Sequence, residues 1–157
     1  MVDDAEWEAL RETEQKHFHL RHEIWSSPDA ATQFRAALKS AKYRRTALRT
    51  LEDAPKPLIA SLFSELFDET LGSPEYVGLA RAALMRLEKY ALSQQLYPHV
   101  HNLLDRDDIT DWEYRRVCEL LDEAHASDLL RAVVDRASTS KDPNIVEVAE
   151  DYRNSAK

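Results

Sequence analysis

The sequence predicts an all-α fold made of stacked helix pairs. Three observations lead there: a scarcity of glycine, a set of explicit helix-start signals, and a pattern of large and small residues that recurs along the chain. Only Gly72 and Gly78 occur in 157 residues, where average usage of about 7 % would supply about ten. Tight β-hairpins and phosphate-cradling loops draw on glycine at positive φ. No G-x-G or GK[ST] is present, which excludes a P-loop or a dinucleotide-binding fingerprint.

The helix starts come next. Ser27-Pro28-Asp29, Ser73-Pro74-Glu75 and Asp142-Pro143-Asn144 each set a capping side chain before a proline. A proline at the first helical position loses nothing, because its missing N–H would have had no intrahelical partner. Thr110 and Glu113 have the spacing of a capping box. Between these signals apolar residues recur at helical intervals. The resulting parse is a first helix over 3–25, then helices over 29–40, 42–53, 57–71, 74–90, 92–105, 111–124, 127–138 and 143–153. Connections are short, so neighbours should pack as antiparallel pairs. No long linker or low-complexity segment divides the chain, and a single domain spanning 1–157 is expected.

The recurrence explains why Tyr-Arg-Arg is written twice, at 43–45 and 114–116. Four helices share a large residue, a small one four positions on, and another large one. The sets are Tyr43, Ala47, Leu51; Tyr76, Ala80, Leu84; Tyr114, Cys118, Leu121; and Ile145, Ala149, Tyr152. Their starts lie 33, 38 and 31 residues apart. A period of this size with variable loops marks stacked helical hairpins. One hairpin cannot bury both apolar faces alone; stacking covers them, and the small residue lets helices approach closely.

The preceding helices match as well. "PLIASLFSELFD" (57–68) and "YPHVHNLLDRD" (97–107) both run from a proline through apolar residues to an aspartate. "DPNIVEVAEDY" (142–152) has the D-P-x-x-V-x-x-A form, and "SPEYVGLARAAL" (73–84) is similar. With these features the chain resembles HEAT repeats over roughly 42–153, with 29–40 as a degenerate first partner. The resemblance implies a right-handed α-solenoid of about four HEAT-like helical hairpins over 29–153. The extra N-terminal helix, within 1–26 and carrying Trp7, Leu10, Phe18 and Trp25, is expected to cap the open end. It also implies Asp–Arg ion pairs along the stack, with Arg44 and Arg115 each reaching a turn aspartate; Asp105 and Asp107 are the candidates for Arg115.

Charge and cysteine narrow the function. The formal net charge is −8, so the chain does not attract a phosphate backbone by bulk charge, and nucleic-acid binding is disfavoured. Acid is concentrated in 1–14 and 105–128, whereas 35–49 holds six Lys and Arg and no acid. The acidic N-terminus, MVDDAEWEALRE, lacks the apolar core of a signal peptide. No apolar run approaches the length of a membrane span. The one cysteine, Cys118, forms no internal disulfide and takes the small-residue slot, which predicts a core role. A cytoplasmic protein is expected.

Two kinds of residue could carry function. Arginines on the second helices suit contact with carboxylates of another protein, through their planar fork. The candidate partner-binding set is Arg44, Arg45, Arg49, Arg81, Arg115, Arg116 and Glu119, with Trp112 as an exposed aromatic anchor. The other kind is the cluster "HFHLRHE". On a helix His19, His22 and Glu23 share a face and could present two imidazoles and a carboxylate to a metal. Glu14 and His17 have the spacing of one di-iron ligand pair, which Asp122 and His125 imitate weakly. Deoxyhypusine hydroxylases, which are HEAT-like, hold iron on repeated His-Glu dyads; this chain resembles them in one dyad only, His22-Glu23. HEAT-like alkylpurine DNA glycosylases need a strongly basic concave surface, and here only 35–49 is basic. The reading is therefore a non-catalytic protein-binding module without a cofactor. It would be an adaptor, or an immunity-type inhibitor of the kind that suits short acidic bacterial repeat proteins, binding a protein or peptide. The alternatives are a metal-dependent enzyme on the histidine cluster and a HEAT-like DNA-binding or repair protein.

Overall fold

A computed structural model describes residues 4–155. Among them are ten helices and no strand: α1 (Asp4–Ser26), α2 (Ala30–Lys39), α3 (Arg44–Leu51), α4 (Lys56–Ser61), α5 (Phe63–Thr70), α6 (Pro74–Leu84), α7 (Lys89–Leu104), α8 (Asp111–Glu123), α9 (Ser127–Ser138) and α10 (Pro143–Tyr152). The all-α expectation holds. The expected first residue of helix one, Asp3, lies outside the described residues. No described helix is long and apolar enough to cross a membrane.

Two of the four start signals, at Thr110 and Asp142, cap their helices, and Pro28 lies outside α2 instead of opening it. Glu113 donates its N–H to Thr110 Oγ1 at 3.2 Å, while the Thr110 N–H donates to Glu113 Oε2 at 3.0 Å, closing the capping box. Asp142 Oδ1 accepts from the Asn144 N–H at 2.9 Å. Pro74 and Pro143 open their helices. Ser73 forms no side-chain cap bond, and Asp29 spends its carboxylate on Ser27 and Gln33 rather than on a backbone N–H.

Two expected helices are shorter than predicted. The helix over 57–71 breaks at Leu62, which has φ −108° and ψ 14°. The cause lies one residue earlier. The Ser61 hydroxyl donates to the Leu58 carbonyl at 2.7 Å, and the Ser61 carbonyl is taken by Arg35 Nη2 at 2.7 Å. Both bonds compete with the helical ladder. The helix over 74–90 ends at Leu84, and the chain turns through Met85–Glu88. There Leu87 is buried and Arg86 donates to the Glu52 carbonyl at 2.9 Å. No proline or glycine marks either break.

Helices pack in a regular way. α2 lies against α3, α5 against α6, α8 against α9, and α9 against α10. Further contacts join α3 to α6, α8 to α10, α7 to α9, α1 to α2, α2 to α4, α5 to α7 and α5 to α8. One contiguous buried cluster runs from Phe34 to Ala149. The small-residue positions Ala47, Ala80, Cys118 and Ala149 are all buried, as are Leu51, Leu84 and Leu121. Tyr43 departs from its expected place in the pattern. It stands at the N-cap of α3 and is 52 % exposed, because no preceding helix pair covers it.

α1 behaves differently from the rest. None of its residues is buried. It meets the remainder through its last turns, where Arg21 Nη2 donates to Asp53 Oδ2 at 2.6 Å and the Arg21 guanidinium lies 4.8 Å from the Trp25 ring centroid. Of the four apolar residues expected to serve a cap, only Trp25 packs on the core; Trp7, Leu10 and Phe18 are exposed.

The packing makes opposite predictions for two neighbouring positions on α6. Ala80 is fully buried, so Ala80→Leu should overpack the core and lower unfolding free energy by about 1–3 kcal/mol. Gly78 sits mid-helix with open space where a Cβ would stand, so Gly78→Ala should raise it by about 0.5–1 kcal/mol. Urea unfolding of the two variants reads both signs.

Candidate functional site

Every residue expected to contact a partner falls on α3, α6 or α8. The fold brings four of them together. Arg81 Nη2, from α6, donates to Glu119 Oε2 of α8 at 2.5 Å and to the Arg116 carbonyl at 3.2 Å. Arg116 Nη1 donates to the same Glu119 oxygen at 2.9 Å. The Arg116 guanidinium also lies over the Trp112 ring, 4.2 Å from its centroid, one helical turn away. The result is a compact cluster in which one carboxylate orients two arginines and one arginine holds a tryptophan.

The arginines are more enclosed than the sequence implied. The side chains of Arg81 and Arg116 are 13 % and 14 % exposed, whereas Trp112 is 45 % exposed. The buried Nε atoms of both arginines have no hydrogen-bond partner. Burial opposes ionisation of Glu119, but hydrogen bonds from Arg81 and Arg116 outweigh it and hold the carboxyl below its ordinary value. The surface that remains open is the indole of Trp112. On α6, Gly78 and Ala82 are exposed as well. They share a face one turn apart, which leaves the backbone there accessible.

The remaining candidates are placed apart from this cluster. Arg45 Nη1 donates to Glu75 Oε1 at 2.7 Å, with both side chains about half exposed. Arg44 Nε donates to the Leu38 carbonyl at 2.6 Å and lies 3.4 Å from Glu69. Burial raises the Glu69 carboxyl above its usual range, against the pull of Arg44. Arg49 is exposed and forms no ion pair with a described residue. Arg115 reaches Asp151 of α10 at 2.8 Å, not the turn aspartates Asp105 or Asp107. Arg44 likewise takes no turn aspartate. The acceptors lie instead on other helices, Glu69 of α5 and Asp151 of α10, a relation that only tertiary packing sets.

These pairs form a series. Arg45 of α3 meets Glu75 of α6, Arg81 of α6 meets Glu119 of α8, and Arg115 of α8 meets Asp151 of α10. On the opposite side Arg35 meets Glu65, and Lys56 meets Glu88. The partners are 30 to 38 positions apart. Glu75, Asp151, Gly78 and Ala82 were not singled out from the sequence. The signal that could have found the two acids is an opposite charge one repeat length downstream of each arginine.

The histidines do not assemble a metal centre. Among the described residues no three His, Cys, Asp or Glu side chains come together as a metal-binding group. His22 instead stacks between Phe18 and Trp25, with ring centroids at 4.2 and 5.1 Å, and its Nδ1 bonds the Phe18 carbonyl. His19 touches Phe18 edge-on, and Glu23 is exposed. His125 leaves α8 altogether: it adopts φ 53° in the turn, donating its N–H to the Asp122 carbonyl at 3.1 Å. Asp122 and His125 therefore share no helix face, and the imitation of a second di-iron pair fails.

The chain matches no protein-family model, no curated protein and no solved structure. The likeness to HEAT repeats rests on its own residues alone.

Two outcomes follow from the electrostatics. Glu119→Gln should cost about 2–3 kcal/mol, since it strips the counter-charge from two largely enclosed arginines. The folded-state pKa of Glu119 is lowered, so its contribution is present above the unfolded value and is lost as pH falls below about 4. Acid titration of stability should be shallower in the variant. For Cys118, burial pushes the thiol up to about 12. Such a thiol should resist alkylation in the folded chain at pH 8 and react once urea unfolds it. Stability should also fall as pH rises above about 8.5, where the unfolded thiol ionises and the folded one does not.

Proposed function

We propose that this chain is a non-catalytic protein-binding module, an adaptor or an immunity-type inhibitor that masks a partner. Its scaffold is a right-handed stack of four HEAT-like hairpins: α2 with α3, α4 and α5 with α6, α7 with α8, and α9 with α10. α1 stands at the first end. Support for the stacking comes from ion pairs between residues 30 to 38 positions apart, and from the contacts of α3 with α6, α8 with α10 and α7 with α9.

One observation carries the binding reading: the rigid group of Trp112, Arg116, Glu119 and Arg81 on α6 and α8. An exposed tryptophan pinned by an arginine loses little freedom on binding. Interfaces concentrate energy in such aromatic and arginine anchors. The face is not a simple basic patch, because Arg45, Arg81, Arg115 and Arg116 already have carboxylate partners. Recognition there depends on the indole and on shape more than on net charge.

The test is an affinity pull-down from the native host with the wild-type chain and with Trp112→Ala. Trp112 is half exposed, and its loss should leave the melting temperature nearly unchanged. The reading expects one stoichiometric protein with the wild type and at least about a tenfold loss with the variant, the scale of an interface anchor. A partner retained equally by Trp112→Ala would place binding elsewhere on the molecule. Charge reversal at Arg45, in an exposed pair contributing less than about 1 kcal/mol, tests the α3 end in the same way.

A further inference from the structure

We propose that the cavity between the α7–α8 and α9–α10 turns binds a small zwitterion, an α-amino acid with an apolar side chain. Arg136 takes the carboxylate of this ligand and Asp107 takes its ammonium group. The site is separate from the face formed on α6 and α8.

The first observation is the cavity and the stiffness of its walls. Residues 105–110 make the longest connection between helices among the described residues, and 139–142 join α9 to α10. Both turns border one cavity of about 280 Å³. An apolar cavity of about 150 Å³ holds a benzene, and drug-sized sites begin near about 300 Å³. The volume therefore suits a metabolite somewhat larger than benzene. In the first wall Arg106 donates to Asp108 and to Glu113, each at 2.8 Å, and Glu113 closes the capping box of α8. In the second, Thr139 Oγ1 donates to the Arg136 carbonyl at 2.9 Å, and Ser140 Oγ accepts from the Asp142 N–H at 3.1 Å. Walls already held in place lose little freedom when a ligand enters.

The second observation is the charge of the lining, which selects the ligand class. Three charged residues border the cavity: Arg106, Asp107 and Arg136. Arg106 is taken by Asp108 and Glu113. Asp107 and Arg136 line the same cavity, yet they form no ion pair with each other or with another described residue. A simple anion drawn to Arg136 would meet Asp107, and a simple cation drawn to Asp107 would meet Arg136. A ligand that carries both charges satisfies both residues.

The third observation is the set of neutral groups around those charges. Tyr114 is 4 % exposed and lines the cavity. Burial raises its phenol above the ordinary value, against the pull of Arg136, so it keeps its proton at neutral pH. The Ser140 hydroxyl accepts from Asp142, which leaves its hydrogen to donate. A guanidinium beside two hydroxyl donors suits a carboxylate. Leu104, Ile109 and Ile145 form the apolar part of the lining, where the side chain of the ligand lies.

NMR titration of the isotope-labelled full chain with L-leucine tests the site, with L-alanine, L-valine and L-methionine run in parallel. The expected result is saturable shifts at the amides of Asp107, Ile109, Ser140 and Ile145 with at least one of them, at a millimolar or tighter Kd. Two analogues of the tightest binder separate the charges: the acid that lacks its amino group and the amine that lacks its carboxylate. Each should bind at least about tenfold more weakly. Asp107→Asn and Arg136→Gln should each weaken the amino acid by a similar factor. Asp107 is exposed on a turn, so its variant should melt with the wild type even if the change at Arg136 disturbs Tyr114. No saturable shift with any of the four amino acids, equal binding of either analogue, or an Asp107→Asn variant that binds like the wild type would each overturn the proposal.

Discussion

Close approach between helices at four small residues is the constraint on which the rest of the molecule depends. Ala47, Ala80, Cys118 and Ala149 are buried on α3, α6, α8 and α10. Each small side chain leaves room for a neighbouring helix to come near. A longer side chain at any of them would force helices apart. It would also separate the arginines and carboxylates that bridge α3 to α6, α6 to α8 and α8 to α10. Packing thus sets the spacing, and the ion pairs report it.

Those bridges are unequal in consequence. Arg45 with Glu75 and Arg115 with Asp151 lie toward solvent, where an ion pair contributes little. The group around Glu119 is different. Two guanidiniums are largely removed from water and depend on one carboxylate, so removing that carboxylate is costly while the intact arrangement is rigid. Arg116 of this group lies over the Trp112 ring, which is the part of it most open to solvent. α1 stands outside the scheme. Its tie to the body is Trp25 on the core and Arg21 on Asp53, and Trp7, Leu10 and Phe18 are exposed among the described residues.

The histidines show how the same spacing can be read in two ways. His19, His22 and Glu23 do share a helical face, as the periodicity requires. Sharing a face is not convergence: His22 turns to stack on Phe18 and Trp25 and bonds a backbone carbonyl. His125 shows the complementary failure. With glycine so scarce, the turn after α8 uses a histidine in the left-handed region, and the expected i, i+3 relation ends with the helix.

What the sequence determined by itself was local and periodic. Scarce glycine and the capping signals at Thr110 and Asp142 set helix as the only element and placed most starts within a residue or two. The recurring small residues and leucines identified buried positions, Cys118 among them, because burial follows from helical periodicity, whereas Tyr43 of the same pattern is exposed. Tertiary structure alone decided the break at Leu62, which exists because Arg35 captures the Ser61 carbonyl from another helix. It alone ended α6 at Leu84, paired Arg115 with Asp151 and drew Arg81, Trp112, Arg116 and Glu119 into one group. Each depends on side chains about 25 to 40 positions apart. Local propensity carries no information about which distant partner a chain will meet. That is settled only when the helices stack.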